Sequence, residues 1–125
     1  DPTVGPAYRA GLLSAQESRL DYRATIRDTA LAVASAYYEV LRQQALVAVS
    51  RESLRLAEEQ KNLAEQRLAV GEVIRTDVLT ADVTLQRGKR ALVEAENTLK
   101  YARTLLANIL NFDPGSSFEV VEPKG

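Results

Sequence analysis

The sequence predicts an all-α fold: a long, coiled-coil-like antiparallel hairpin, its first helix longer than its second, ending in a short extended tail. Three observations predict it. Gly and Pro crowd the two ends, yet between Gly11 and Pro114 there is no Pro and only Gly71 and Gly88 interrupt. A stretch that free of breakers reads as very long helix. Apolar residues recur at heptad spacing on both sides of Gly71. Aromatics are only 6%, Trp is absent, and Ala, Leu, Val, Glu, Arg and Gln dominate, a helix-forming mixture.

The first helix is expected over about residues 7–70. Ile26, Val33, Val40, Val47, Leu54 and Leu68 share one seven-residue register, with Lys61 as its one departure. Three places on come Ala36, Gln43, Ser50, Ala57, Ala64 and Gly71. These rows form an a/d seam. A further row, Val49, Leu56, Leu63 and Val70, widens the apolar face. One antiparallel partner needs one seam, so the surplus predicts neighbours on more than one side. The charge-rich stretch from Glu52 to Arg67 reads as a solvated face with i,i+4 pairs.

The turn is expected over about 71–76. Gly71 suits the left-handed residue just past a helix end. Thr76 has the side chain to cap the next helix, and Asp77 would sit at its positive end. The connector Glu72-Val73-Ile74-Arg75 is short, so the helices run antiparallel. In the register this implies, Leu54 lies near Leu92 and Val47 near Leu99.

The second helix is expected over about 77–112. Val78, Leu85, Leu92, Leu99 and Leu106 recur every seven residues, with Ala81, Gly88, Ala95, Ala102 and Ile109 three places after each. Large residues alternate with small ones, which lets a partner helix approach closely. Gly88 fits this as a packing position, where closeness offsets the ~1 kcal/mol of helix propensity a glycine loses. Tyr37 and Tyr38 are expected to pack between helices. The candidate packing seam is therefore Leu54, Ala57, Leu68, Val78, Leu85, Gly88, Leu92 and Leu99. An extended tail is expected over 113–125, with Phe118-Glu119-Val120-Val121 as a short strand.

The two helices do not match in length. At about 1.5 Å per residue the first would be ~95 Å long, and roughly 25 of its residues would outrun the second. That overhang holds Leu12, Leu13, Leu20, Tyr22 and Ile26. It predicts partners from elsewhere and exposed apolar surface that drives association. The chain opens at Asp1-Pro2 without Met and is read as a processed or excised piece.

Composition excludes several functions. There is no Cys and no His, so disulfides, zinc sites of the usual ligands, Cys nucleophiles and Ser-His-Asp arrangements are out. Glu58 and Glu59 point to different helix faces, and Asp77 and Asp82 have no pocket between them, so no acid/base pair is offered. No enzyme, cofactor or metal is implied. Sixteen basic residues against seventeen acidic ones leave a net charge of −1, without the basic excess of a nucleic-acid binder. The longest apolar runs, such as Ala45 to Val49, are far short of the ~20 residues a spanning helix needs. Balanced charge and few aromatics also argue against a lipid-surface helix.

Several phrases resemble one family. Arg67-Leu68-x-x-Gly71, five residues, then Asp77-Val78-Leu79 resembles the turn of the TolC-type outer-membrane efflux proteins. Ala36-Tyr37-Tyr38 with Leu41 is similar to a segment of their first long helix. Leu105 to Pro114 resembles their closing phrase, with Asn111 where Gly is common, and Gly5-Pro6-Ala7-Tyr8-Arg9 resembles the point where strand gives way to helix. The order and spacing of these phrases cover nearly the whole chain.

The resemblance implies a homotrimeric channel with barrel strands in the outer membrane of a Gram-negative bacterium and a helical tunnel across the periplasm. This chain would be one periplasmic hairpin of one repeat, touching the membrane only through barrel strands it lacks. The hairpin tip would dock a periplasmic adaptor (membrane-fusion) protein and, through it, an inner-membrane pump. That role falls on Val70, Gly71, Arg75, Thr76 and Asp77. A plainer reading stands beside it: Gly71 as an ordinary helix-ending glycine and Asp77 as a charge at a helix start. Some members hold paired acids at one tip as a cation-binding gate. Asp77 matches the first, but Thr80 stands in the place of the second and the next acid is Asp82, a departure that points to a hairpin without the acidic ring. Two other readings remain: the helical hairpin of the adaptor itself, and a coiled-coil scaffold with no transport role.

Overall fold

The structure, a computed structural model, describes residues 4–110. Among them are two α-helices and no strand: α1, Val4–Ala69, and α2, Arg75–Leu110. The first helix is the longer, with 66 residues against 36. The expected tail over 113–125 and the last two residues expected of α2 lie outside the described residues. Pro6 falls in the first turn of α1. Its missing N–H would have no partner in the helix there anyway.

The chain divides into two units between Ser35 and Ala36. In the first, α1 stands as a single helix. From Gly5 to Ser35 only Ala24 and Val33 are half-buried, and the rest are exposed.

In the second unit the remainder of α1 packs against α2, and the buried residues follow the heptad. Val40, Val47 and Ala57 from α1 are buried with Leu85, Leu99, Ala102, Leu106 and Ala107 from α2. Leu54, Ala64, Leu68, Val78, Ala81, Gly88, Leu92 and Ala95 are half-buried on the same rows. Each fully buried Val or Leu contributes ~1.5–3 kcal/mol, so this narrow stripe is the main source of hairpin stability. The further row of α1 is left uncovered: Val49, Leu56, Leu63 and Val70 are all exposed.

Three details differ from the sequence reading. Leu54 packs against Gly88, where an added Cβ would meet its Cδ1 at 3.5 Å and its Cα at 3.7 Å. Gly88 lies one turn nearer the tip than Leu92, the expected neighbour, and the two share one half-buried row. Tyr38 is exposed while Tyr37 is half-buried. Neighbouring residues on a helix point about 100° apart, so one narrow seam cannot take both. Their rings meet edge to face, with centroids 5.6 Å apart. Finally, Lys61 does not simply break the seam: its Nζ reaches Asp82 of α2 at 3.0 Å and Glu65 at 3.8 Å.

Gln43 is the buried polar side chain among the described residues, and its Nε2 donates to Glu39 Oε1 at 2.7 Å. An amide in an apolar seam costs stability but helps to specify register. Around it the exposed charges of α1 pair along the helix. Arg42 donates to Glu39 at 2.9 Å, Arg55 bridges Glu52 and Glu59, and Arg51 reaches Glu96 of α2 at 3.5 Å.

Candidate functional site

The candidate site is the turn between α1 and α2, built from two helix ends. α1 ends in a Schellman motif. Gly71 N–H donates to Leu68 O at 3.0 Å, and Glu72 N–H donates to Arg67 O at 2.8 Å. Both carbonyls would otherwise lack partners. Closing this loop requires a left-handed residue, and Gly71 supplies it with φ +78°. A side chain there would meet no atom within 4 Å, so the constraint on this position is backbone conformation, not space.

α2 starts two residues earlier than expected, which corrects the role of Thr76. With Arg75 as the first helical residue, Ile74 occupies the N-cap and Thr76 lies inside the first turn. Asp77 does the capping from the third helical position. Its Oδ2 accepts the Ile74 N–H at 3.1 Å, and its own N–H donates to Ile74 O at 3.0 Å. This is the returning half of a capping box, and the carboxylate also lies at the positive end of the helix dipole. Ile74 has no side-chain oxygen, so the forward half is missing.

Thr80, where a paired acid would stand, turns its hydroxyl back to Thr76 O at 2.9 Å, and Thr84 does the same to Thr80 O at 3.2 Å. Asp82 is engaged with the hairpin itself. It accepts from Lys61 and, at 3.4 Å, from Gln86 Nε2. The Lys61 hydrogen bond, then that of Gln86, holds the Asp82 carboxyl below the usual carboxylate range, and the same contact raises Lys61. Asp77 and Asp82 are therefore not a free acidic pair. Among the described residues no group of three or more Asp, Glu, His or Cys could hold a metal ion.

What the turn presents is apolar and small. Val70 is 70% exposed and Ile74 66%, one on each side of the bend, and Gly71, Arg75, Thr76 and Asp77 are exposed with them. Ile74 is the residue that sequence reasoning missed. The sequence alone does not single it out, since Val73 beside it is equally β-branched and apolar yet half-buried. Of the candidate seam, Ala57, Leu85 and Leu99 are buried and Leu54, Leu68, Val78, Gly88 and Leu92 are half-buried, with Leu68 and Val78 flanking the bend.

No helix among the described residues is long and apolar enough to cross a membrane. No solved structure matches the chain. The curated protein CyaE of Bordetella pertussis is 29% identical over 110 residues. That match takes in 88% of this chain but only 23% of CyaE, so the chain spans about a quarter of this relative's length. A family model described as outer membrane efflux protein matches residues 4–111. That span takes in both helices and the turn, so the hairpin itself carries the match, and the chain belongs to the outer membrane efflux protein family.

Proposed function

We propose that the chain is a periplasmic tunnel segment of an outer-membrane channel for efflux or type I secretion, and that its turn docks a periplasmic adaptor protein. One observation carries the tunnel reading: α1 keeps a second apolar row, Val49, Leu56, Leu63 and Val70, that α2 leaves exposed. A two-helix rod acting alone has no use for it. A helix within a wall of helices does, because each member must bury a face on either side. Family membership supplies the channel, and the expected assembly is a homotrimer. The mechanism is passive: helices line a conduit, and no step of bond chemistry is required.

The docking reading rests on the turn. Val70 and Ile74 offer exposed apolar surface, Gly71 leaves space between them, and Arg75, Thr76 and Asp77 provide a polar rim. An adaptor would in turn link the channel to an inner-membrane pump. The absence of a free acidic pair favours a tip that docks over one that forms an acidic gate.

The test is Gly71→Trp in the assembled channel, with Gly71→Asn beside it. Asn tolerates the left-handed conformation, so it keeps the bend and adds little bulk. The expected result is that Trp abolishes cross-linking to the adaptor and export while trimers still form, and that Asn retains most of both. Unchanged export and cross-linking with Trp would refute docking at this turn. Equal loss with Asn and Trp would mean that the bend, not its surface, is what matters.

A further inference from the structure

The seam between α1 and α2 has two edges, and they differ in chemistry. On one, Arg51, Glu58 and Glu65 of α1 run alongside Asp82, Lys89 and Glu96 of α2, each row at spacings of seven. Arg51 reaches Glu96 across the hairpin at 3.5 Å, which puts both rows on the same side of the seam. The rows that border the seam on its other side then lie together as well. They are Leu46, Ser53 and Gln60 of α1 and Thr84, Ala91 and Thr98 of α2, again at spacings of seven. All six are exposed, and none is charged. Arg67 and Asp77 join this edge only near the turn, and Arg87 and Glu94 of α2 stand one row farther from the seam. The charge of the hairpin is thus sorted toward one side. Arg55, which bridges Glu52 and Glu59, stands on the charged side too.

The uncovered apolar row of α1 tells which side is concave. At about 100° per residue, Val49, Leu56, Leu63 and Val70 lie about 130° round the helix from the seam, measured by way of Ser53 and Gln60. All four are exposed. A helix whose two contact lines stand less than a half-turn apart bends its wall toward the smaller angle. The uncharged edge lies within that smaller angle. A wall of such helices therefore curls with the uncharged edge inward and the charged edge outward.

The two edges would act differently on a passing solute. Charges that line a narrow cleft with low-dielectric walls focus a field and sort what enters by its sign. Hydroxyls, an amide and methyl groups hold water without doing so. Outward charges keep their hydration and their counterions.

We propose that the uncharged edge, Leu46, Ser53 and Gln60 with Thr84, Ala91 and Thr98, lines the conduit along this stretch and admits solutes of either charge. The inference rests on the tunnel reading and adds which side of the hairpin faces the cargo.

The test is cysteine modification of the assembled channel, stripped of any other cysteine, in a planar bilayer under a salt gradient. This hairpin itself contains none. Ser53→Cys and Thr98→Cys probe one edge, and Glu58→Cys and Lys89→Cys probe the other. Each channel is read before and after a cationic and an anionic methanethiosulfonate, with labelling verified by mass. The expected result is that labels on the Ser53→Cys and Thr98→Cys channels lower the conductance and shift the reversal potential. The cationic label shifts it toward anion selectivity, and the anionic label toward cation selectivity. Labels on the Glu58→Cys and Lys89→Cys channels leave both quantities unchanged. Shifts as large or larger in the Glu58→Cys and Lys89→Cys channels would overturn the assignment and keep the tunnel reading. Conducting channels in which Ser53→Cys and Thr98→Cys resist labelling would do the same, because that edge would then be sealed within the wall. Full labelling at every position with no change in either quantity would overturn the tunnel reading as well, and so would a purified protein that conducts no current.

Discussion

Two stretches of α1 solve the problem of a long helix in opposite ways. From Ala36 onward, charges are paired along the helix (Glu39 with Arg42, Arg55 with Glu52 and Glu59, Lys61 with Glu65), and one apolar row is covered by α2. From Gly5 to Ser35, charges of one sign run together, and Leu12, Leu13, Leu20 and Ile26 are all exposed. Helix propensity does not distinguish the two, since both are rich in Ala, Leu and Arg. The difference lies in where the compensation comes from. The hairpin stretch meets its charges and one of its apolar rows within the chain. The other stretch is arranged for a surface that comes to it.

The sharpest way to break that comparison is to make the same cut in both stretches. Leu106 is 2% exposed in the hairpin, and Leu106→Ala should destabilise by about 2–4 kcal/mol, toward the low side for a seam that can partly collapse. Leu20 is 62% exposed, and Leu20→Ala should change the stability of a dilute chain by less than ~0.5 kcal/mol. Urea unfolding followed by helix circular dichroism reads both. Equal losses would mean that the 5–35 stretch already has a partner under those conditions.

A smaller effect is expected at Gly88, which asks how tightly the hairpin half is closed. Its missing Cβ would sit 3.5 Å from Leu54 Cδ1, an ordinary contact distance. Gly88→Ala should therefore fit and stabilise by up to ~1 kcal/mol through helix propensity. Gly88→Leu should cost about 1–3 kcal/mol, because the added atoms meet the Leu54 backbone as well as its side chain. Thermal melts of the two variants give opposite shifts if the approach is as close as described. Destabilisation by Ala would mean that the seam is tighter still.

The heptad makes most of this hairpin legible in the sequence. Period seven marked Val40, Val47, Leu85, Leu99 and Leu106, and all five are buried. What the period left out is how closely the helices approach: Leu54 lies against Gly88, and that contact depends on both helices together. The N-cap was misplaced because it too depends on the path of the chain. Thr76 is the better capping side chain, but the short path of the turn starts α2 at Arg75, and Asp77 reaches back instead. At the turn, composition pointed to Gly71 and Asp77, whose roles are local. Ile74 escaped notice because apolar residues signal a site only when they are known to be exposed.

The gentlest test of the comparison is pH, applied to the one seam residue that breaks the heptad. Lys61 is charged where its row is apolar, and it is tolerated because Asp82 faces it across the hairpin at 3.0 Å. The contact depresses Asp82 and raises Lys61. A depressed carboxyl stabilises the fold above its unfolded value, about 3.9, and that contribution is lost as pH falls through the folded value. A raised amine stabilises below its unfolded value, about 10.4, and that contribution is lost as pH rises through the folded value. The pair should thus act between these limits and fade outside them. Asp82→Asn should melt slightly below the parent chain at pH 7, and the gap should close as pH falls through the lowered folded value of Asp82. Asp28→Asn, at an exposed pair between neighbours on the other stretch, should show almost no gap at either pH. Other carboxylates titrate in both chains of each comparison, so the difference isolates the residue replaced. If the Asp82 gap persists in acid, its value lies in the neutral hydrogen bond with Gln86 and not in its charge. Lys61 would then be a burden on the seam, and Lys61→Leu would stabilise the hairpin at neutral pH. If the gap closes, Lys61→Leu should destabilise it by stranding Asp82 beside an apolar residue.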